Sequence, residues 1–361
     1  MPPNPIDAGS PDLGDLIARV ASGQTLSADE AEAAFAAMMA GAATPVQMAA
    51  FLVALRVRGE TPAEIAGGVR ALRRAMIPVP AADGEPLLDT CGTGGGRVTT
   101  FNISTAAAFV VAGAGVRVAK HGNRSFTSRS GSADVLEALG VAIELSPAAM
   151  AAVLEEAGIV FMFAPLLHPA MRHVAPVRRE LGIPTIMNLL GPLTNPAHAR
   201  RQVVGVADPE RLDIVAGALR ELGHDRALVV HGAPGLDELS PLGPSDVVEL
   251  RDGALRRYRV DPTERFGWGA LDPGELAGGE PAHNARIIED VLAGRRGGAA
   301  RAAIVLNAGA ALYVAGRVDS IEDGAAEAER IIDAGAGYDA LRRLRDASRR
   351  AAETKDGKGN G

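Results

Sequence analysis

Five short apolar runs alternate with helical stretches in the middle of the chain, and this alternation restricts the fold more than any other feature. The runs read PLLDT, VRVAK, IVFMFAP, QVVGVA and RALVVHG, and helical stretches such as 209–222 separate them. Strands that alternate with helices predict a largely parallel α/β sheet. Two further runs, 246–250 and 255–260, are joined by Arg251-Asp252-Gly253-Ala254 and predict a hairpin appended to that sheet.

The first eighty residues predict an all-helical unit. Ser27 is a capping candidate with Glu30 three residues later, which is the spacing of a capping box. Two further helix starts carry a Thr-Pro pair, at Thr44-Pro45 and Thr61-Pro62, and proline is tolerated at the first position of a helix.

Helical patterns return near the C-terminus, from 282 to about 351. Residues 351–361 are predicted to form a frayed tail. With 361 residues, the chain is long enough for about two domains.

Composition excludes several classes of protein. The single cysteine, Cys91, cannot form a disulfide within the chain or assemble a cysteine-based metal site, so any metal must take oxygen ligands. A formal net charge of -7 argues against a protein that coats nucleic acid or lies on an anionic membrane. The N-terminus lacks the features of a signal peptide, and the longest near-apolar run, 302–316, is too short to span a bilayer. We therefore expect a cytoplasmic protein whose partner is a small molecule, with no nucleic acid and no membrane.

The stretch from Thr90 to Ala133 carries no acidic residue in 44 positions, although it contains several basic ones. Such a segment suits a polyanion. It opens with Gly92-Thr93-Gly94-Gly95-Gly96, which follows the run PLLDT and precedes a helix predicted to start near Asn102. In that arrangement backbone N–H groups and a helix N-terminus converge on a phosphate.

This glycine-rich loop matches neither of two common phosphate-binding motifs. A dinucleotide-binding fingerprint needs glycine where Arg97 stands and an acidic residue about twenty positions later, and a Walker loop ends in Gly-Lys-Ser/Thr. The alternative is a tight strand-to-helix turn that binds no ligand. The absence of acidic residues favours the phosphate site.

A second cluster, Lys120-His121-Gly122-Asn123-Arg124, is predicted to lie directly after the strand VRVAK. The carboxyl ends of parallel strands are where α/β proteins bind ligands. Lys120 and the serines that follow, Ser128, Ser130 and Ser132, are therefore candidates to surround a phosphate. A basic surface loop is the alternative.

A third cluster, Asp237 and Glu238, follows the run RALVVHG. Adjacent carboxylates at the end of a strand are costly to hold together unless a cation lies between them. Mg²⁺ favours carboxylates together with the phosphates of a substrate. The pair suits either a Mg²⁺ site or a solvated acidic turn.

Seven blocks of the sequence, in their order and spacing, resemble the anthranilate phosphoribosyltransferase family. They read DTCGTGG, FNIST, KHGNR, SGSADVLEALG, HPAM, GPLTNPA and GLDEL. KHGNR with GTGG upstream and GPLTNP downstream is a specific signature. The helical N-terminus, with QMAAFLVALRVRGET, resembles the same family, so the likeness covers almost the whole chain.

The resemblance implies an α/β protein with a small all-helical domain, in the nucleoside-phosphorylase-like phosphoribosyltransferase fold with a mostly parallel central sheet. The small domain would comprise 1–80 plus about 168–195. The α/β domain, with the substrate and metal sites, would comprise 81–167 plus 196–350. The resemblance also implies a homodimer formed through the helical domain.

The implied reaction transfers the phosphoribosyl group of phosphoribosyl pyrophosphate (PRPP) to the amine of anthranilate, a step of tryptophan synthesis. It gives phosphoribosylanthranilate and pyrophosphate, and it requires Mg²⁺, with two sites expected. Such a reaction needs stabilisation of charge on the leaving group and alignment of a weak amine. It does not need a covalent nucleophile.

The resemblance also implies which residues form the site. Those for PRPP are Gly92, Thr93, Gly94, Gly95, Gly96, Thr100, Asn102, Ile103, Ser104, Thr105, Lys120 and Ser132. Those for anthranilate are Gly92, His121, Asn123, Arg178, Gly191 and Pro192. Ser104 would hold one Mg²⁺, Asp237 and Glu238 the other, and Lys120 would stabilise the leaving group. Arg178 would hold the anthranilate carboxylate, because a guanidinium binds a carboxylate in a planar fork.

Some of these residues have ordinary alternatives. Asn102 is also a candidate helix cap, and one of the neighbours Arg178 and Arg179 is expected to be a surface charge. His121, His168 and His173 are candidate general bases. The amine becomes acidic as it attacks and can lose its proton to water, so no histidine is assigned as the base.

Gly96 departs from the family pattern, which usually reads GTGGD. The carboxylate of that Asp is absent here, so its contribution to metal or pyrophosphate binding is not carried over to this chain.

Two other functions remain candidates. A pyrimidine nucleoside phosphorylase shares the fold, but its glycine-rich Lys-x-Ser signature is absent, and GPLTNPA with Arg178 favours an aromatic acid. A non-catalytic nucleic-acid-binding relative would show a basic face and lack metal ligands, whereas this chain has a net charge of -7 and keeps Asp237 and Glu238.

Overall fold

The structure, a computed structural model, describes residues 12–82, 86–96, 98–125 and 129–356. Four helices come first, as the sequence predicts. Helices α1–α4 span Leu13–Ala21, Ala28–Met39, Pro45–Arg58 and Pro62–Ala75. The three predicted helix starts are confirmed, because capping boxes on Ser27, Thr44 and Thr61 begin α2, α3 and α4.

A single seven-stranded sheet forms the centre of the α/β part. Strands β1–β7 span Leu88–Gly92, Val118–Gly122, Ile159–Phe163, Arg201–Gly205, Arg226–Gly232, Ser245–Arg251 and Ala254–Val260. Their order across the sheet is β3-β2-β1-β4-β5-β6-β7. Strands β1 to β5 are parallel, and the hairpin β6–β7 is antiparallel. The mostly parallel sheet with an appended hairpin is therefore confirmed.

Two strands extend two residues beyond their predicted ends. β1 ends at Gly92 instead of Thr90, and β2 ends at Gly122 instead of Lys120, so the prediction that His121 and Gly122 lie in the following loop is wrong. Lys120, His121 and Gly122 all pair with β3 inside the sheet. His121 is buried, and its tertiary partners keep a polar residue in a strand that the residue pattern alone ends earlier.

Helices cover both faces of the sheet. Helices α5–α16 span Ile103–Gly113, Ser132–Ala138, Pro147–Ala157, Ala164–Leu167, Met171–Leu181, Met187–Leu193, Leu212–Glu221, Pro262–Phe266, Pro281–Leu292, Gly298–Ala315, Ile321–Asp333 and Ala336–Asp356. Short 3₁₀ helices lie at Pro209–Arg211 and Pro273–Leu276.

Helix α14 is the central helix of the core. It has 18 residues and is long and apolar enough, by length and composition, to cross a membrane, but 78% of it is buried inside the protein.

The predicted tail at 351–361 is wrong in its first part, because α16 continues through Asp356 and packs Ala351 and Ala352 against the core. Residues 357–361 lie outside the described residues.

Two hydrophobic cores lie on opposite faces of the sheet. One lies among α5–α7 and α13–α16, and the other among α1–α4 and α9–α11. Alternate residues of a strand point to opposite faces, so Leu228 and Val230 join the first core whereas Ala227 and Val229 join the second. Helices α9 and α10 pack against α2–α4. That packing is what the resemblance implies for 168–195, and the exact domain bounds stay a prediction.

The order of the strands reverses at β1, which has β2 on one side and β4 on the other. In open α/β sheets, ligands bind outside the carboxyl ends of the strands at such a switch point. Gly92 ends β1, Gly205 ends β4, and the two are in register. The fold therefore predicts a ligand crevice above this glycine pair.

Candidate active site

The connection from β5 to β6, residues 233–244, crosses directly over the carboxyl edge of the sheet; we call it the carboxylate loop. Three strand-ending glycines leave room for it. A Cβ at Gly92 would lie 2.6 Å from Oδ2 of Asp237, one at Gly205 would lie 1.6 Å from the Asp237 carbonyl oxygen, and one at Gly232 would lie 2.4 Å from the Glu238 carbonyl oxygen. No side chain fits at those distances, so glycine at these strand ends lets the loop lie on the sheet.

Asp237 and Glu238 sit half-buried at the centre of this loop. Leu236 and Leu239 flank them and are buried in the core. Burial raises the pKa of Asp237. Burial, and then the neighbouring Asp237 carboxylate, raises the pKa of Glu238 to about 8. Two carboxylates under this mutual repulsion suit a site for a cation.

Two backbone N–H groups, one from the glycine-rich loop and one from the start of α5, point at the two carboxylates. The Gly94 N–H donates to Oδ2 of Asp237 at 2.9 Å, and the Ser104 N–H donates to Oε1 of Glu238 at 3.1 Å. Gly94 lies in the glycine-rich loop, and Ser104 lies in the first turn of α5. The structure thus places Asp237 and Glu238, the predicted ligands of one Mg²⁺, next to backbone N–H groups that are predicted to bind phosphate.

Lys120 lies beneath the N-terminus of α5. Its Nζ donates to the Thr90 carbonyl and, at 3.4 Å, to Oγ of Ser104. Burial lowers the pKa of Lys120, whereas the charges of Asp89, Cys91 and Glu238 act in the opposite direction. A buried ammonium at this place raises the positive potential of the glycine-rich loop.

Asn102 occupies the N-cap position of α5, but its side chain makes no capping hydrogen bond, so capping does not explain its amide. Its Nδ2 donates to the Ser130 carbonyl at 3.1 Å, and its Oδ1 accepts from Nδ2 of Asn284 at 3.0 Å. Asn102 therefore ties the start of α5 to Ser130 and to α13. The buried Asn284 is a supporting residue that the sequence did not reveal.

Ser132 lies close to the end of β2. Ser132 begins α6, and its Oγ donates to the Asn123 carbonyl at 3.3 Å. A Cβ at Gly122 would lie 2.2 Å from the same Oγ, so Gly122 allows this approach. Arg97 and Ser128, considered above, lie outside the described residues.

The other residues predicted for PRPP are arranged around the glycine-rich loop. Oγ1 of Thr93 accepts from the Ala207 N–H at 3.1 Å, and Thr100 forms a bridge with Ala277. Gly95 is exposed and has a φ of 79°. A Cβ at Gly96 would lie 3.4 Å from Oδ1 of Asp237, so the place where this chain lacks the usual Asp faces the carboxylate pair.

Two of the predicted residues are buried in the first turn of α5. Ile103 is fully buried in the core. Thr105 is 1% exposed, and its Oγ1 has no hydrogen-bond partner among the described residues. Their role in binding PRPP stays a prediction.

The buried His121 and the half-buried His168 form a pair with their Nε2 atoms 3.2 Å apart. The His121 ring also bonds the Gly191 carbonyl. Burial lowers the pKa of His121 to about 3 and that of His168 to about 4. Both rings are therefore neutral at neutral pH and poor proton acceptors, which agrees with assigning no histidine as the base. His173 packs elsewhere, against Gly41.

Helix α10 brings Gly191 and Pro192 to the same end of the sheet. The Pro192 carbonyl accepts from Nε2 of Gln202 at 3.0 Å. On α9, Arg178 is half-buried and its guanidinium has no ion pair or hydrogen bond among the described residues, whereas Arg179 is exposed. Burial lowers the pKa of Arg178. Arg179 is the surface charge of the two.

Comparison with known proteins identifies the family. Residues 84–338 match a family model described as the glycosyl transferase family a/b domain, and 14–76 match its helical bundle domain. An anthranilate phosphoribosyltransferase of Rubrobacter xylanophilus is 54% identical over 340 residues, which are 94% of this chain and 98% of that protein. The chain belongs to the anthranilate phosphoribosyltransferase family.

Solved structures of this family share the fold. The enzyme of Thermus thermophilus has a TM-score of 0.87 and 46% identity, over 93% of this chain and 99% of that one. The Saccharomyces cerevisiae enzyme, in complex with PRPP and Mg, has a TM-score of 0.84 and 28% identity, over 93% of this chain and 97% of that one. A second structure of the yeast enzyme contains 4-fluoroanthranilate.

The residues of this chain suit Mg²⁺, the metal present in the solved yeast enzyme. Within the described ranges, no group of three or more His, Cys, Asp and Glu side chains stands ready to hold a metal alone. Asp237 and Glu238 instead suit a Mg²⁺ ion that takes its other ligands from phosphates and water.

Sequence reasoning missed the buried centre of the site, Asp89. Its carboxylate accepts from the His121 N–H at 3.3 Å, from Nδ2 of Asn195 at 2.8 Å and from Nε2 of Gln202 at 3.4 Å. It thereby links three of the family blocks, DTCGTGG, KHGNR and GPLTNPA. The available signal was an acidic residue inside an apolar strand that leads into a glycine-rich loop.

We predict that Gly205→Ala destabilises the protein by about 1–3 kcal/mol, because the added Cβ would overlap the Asp237 carbonyl and displace the carboxylate loop. Gly243→Ala, in the same loop, is the control, since its Cβ would meet only Cβ of Ala233 at 3.4 Å. Urea unfolding measures both. Equal stability of the two variants would show that the loop does not depend on this close approach.

Proposed function

We propose that this protein transfers the phosphoribosyl group of PRPP to the amine of anthranilate and releases pyrophosphate, as its family membership implies. One observation carries the proposal. The N–H groups of Gly94 and Ser104 donate to the carboxylates of Asp237 and Glu238, next to the buried Lys120. Donors for phosphate and ligands for its counter-ion face each other there. A solvated acidic turn does not explain that arrangement.

The chain's own groups stabilise the departing pyrophosphate. The phosphate oxygens of PRPP would take over the N–H groups of Gly94 and Ser104, and Asp237 and Glu238 would then face the cation. Mg²⁺, when bound, neutralises the charge that develops on the leaving group. We propose two such ions, one at Ser104 and the other at Asp237 and Glu238. Because these donors are held in place before the reaction, they need little reorganisation during it.

Anthranilate would bind on the side of α9 and α10. The guanidinium of Arg178, which has no ion pair or hydrogen bond within the described residues, is available to hold its carboxylate. The other residues proposed to line this side are Gly92, His121, Asn123, Gly191 and Pro192. The neutral His121–His168 pair would shape this wall without taking the proton of the amine.

The direct test is to mix the protein with anthranilate, PRPP and Mg²⁺ and to follow the fluorescence of anthranilate. We expect the fluorescence to fall only when all three are present, with one pyrophosphate released per anthranilate consumed. Phosphorolysis of a pyrimidine nucleoside, or binding of nucleic acid without turnover of anthranilate, would support one of the two alternative functions instead.

We predict that alanine at both Asp237 and Glu238 abolishes turnover at low Mg²⁺ and that high Mg²⁺ restores only part of it. Two anionic ligands would be lost opposite a polyanion. The matched control is alanine at both Glu155 and Glu156, an adjacent acidic pair on α7 that lies on the surface. The rate is measured over a Mg²⁺ titration. A native rate at low Mg²⁺ in the first variant would contradict the metal role.

We predict that Arg178→Ala raises the KM for anthranilate roughly 30-fold, since a charge-assisted fork contributes about 2 kcal/mol. The KM for PRPP should change little, because the guanidinium is proposed to touch only the acceptor. Arg179→Ala serves as the control. A selective effect of Arg179→Ala, or equal effects of Arg178→Ala on both substrates, would refute this assignment.

We also propose that the protein is a homodimer formed through its helical part. The α3 residues Val46 and Val57 are 78% and 82% exposed, which leaves apolar surface uncovered on that helix. Sedimentation equilibrium should give twice the mass of one chain, and the mass of a single chain would contradict the proposal. The cytoplasmic location expected from the sequence stays a prediction.

A further inference from the structure

Asn307 is a polar residue in the middle of the apolar helix α14. It is 3% exposed and lies between Leu306 and Ala308, both fully buried. A buried amide is costly unless its hydrogen bonds are made. An aliphatic side chain would pack well in the core at this position, as Leu306 and Ala308 do on either side. The hydrogen bonds of the amide therefore indicate the role of Asn307.

The Asn307 side chain brackets the backbone of Leu239. Its Oδ1 accepts from the Leu239 N–H at 3.0 Å, and its Nδ2 donates to the Leu239 carbonyl at 2.8 Å. The same Nδ2 donates to the Ala303 carbonyl, one turn earlier in α14, at 2.9 Å. The last bond fixes the amide on its own helix, and the first two fix the carboxylate loop to that helix.

This clamp acts on the peptide group that follows Glu238. The Leu239 N–H and the Glu238 carbonyl belong to one planar unit. Its N–H faces Asn307, and its carbonyl lies against Gly232, where a Cβ would come within 2.4 Å of the oxygen. The peptide is therefore held between α14 and the end of β5. Because it fixes the backbone on the C-terminal side of Glu238, it holds the Cα from which the Glu238 carboxylate reaches the Ser104 N–H.

We propose that Asn307 is a positioning residue that holds Glu238, and with it Asp237, in the orientation that binds the Mg²⁺ complex of pyrophosphate. This inference rests on the function proposed above. The next residue, Ser240, is anchored locally, since its N–H donates to Oγ of Ser245 at 2.9 Å. Asn307 anchors the carboxylate side of the loop from a helix 68 positions away in the sequence.

The test compares Asn307→Ala and Asn307→Ser with the native protein. Alanine removes the clamp, whereas serine can bond back to the Ala303 carbonyl and keep the helix satisfied while it is too short to bracket Leu239. Val314→Ala is the control for lost core packing, because Val314 is buried in the same helix two turns away. Isothermal titration with pyrophosphate in excess Mg²⁺ measures binding without turnover.

We expect both Asn307 variants to bind magnesium pyrophosphate roughly tenfold or more weakly than the native protein, as for other residues that orient metal ligands. Their KM for anthranilate should stay within about twofold of the native value, since the clamp does not touch the acceptor. Val314→Ala should lose stability and keep native affinity. Native affinity in Asn307→Ser would overturn the proposal even if Asn307→Ala fails to fold.

The same titration separates this inference from the proposed function. If the native protein binds magnesium pyrophosphate but does not consume anthranilate, the proposed function fails. The comparison of the Asn307 variants with the native protein still decides the role of Asn307.

Discussion

The contact between the Asp237 backbone and Gly205 is the constraint on which the site depends. A Cβ at Gly205 would lie 1.6 Å from the Asp237 carbonyl oxygen, so the loop rests on the sheet without an intervening side chain. Gly92 and Gly205 are partners in register on β1 and β4, where the strand order reverses. Asp237 and Glu238 thus lie in the crevice that the strand order creates, next to the glycine-rich loop.

Charge explains why these groups belong together. The N–H groups of Gly94 and Ser104 and the ammonium of Lys120 create positive potential, and Asp237 and Glu238 provide the opposite charge. Burial, and for Glu238 also the neighbouring Asp237 carboxylate, raises the pKa of both carboxyl groups, so a cation bound beside them would favour their charged form. A polyanionic substrate supplies negative charge to the N–H groups and the ammonium, and its divalent cations supply positive charge to the two carboxylates. Family membership and geometry therefore lead to the same reaction.

Local patterns in the sequence predicted the helical N-terminus, the parallel sheet, its hairpin and the three clusters of site residues. Such patterns act over a few residues, and capping at Ser27 is an example. The supporting residues were not predicted, because their partners are distant in sequence. Asp89 meets Asn195 across 106 positions, and Asn307 meets Leu239 across 68. The burial that keeps His121 inside β2 is also tertiary, so the strand end predicted from residue type came two residues too early.

The most direct test of this account is a crystal structure of the protein with PRPP and Mn²⁺, in which anomalous scattering locates the metal. We expect metal peaks at Ser104 and between PRPP and the carboxylates of Asp237 and Glu238. We also expect phosphate oxygens to have replaced those carboxylates on the N–H groups of Gly94 and Ser104. PRPP bound away from the crevice, or carboxylates still held by the two N–H groups with PRPP present, would contradict it.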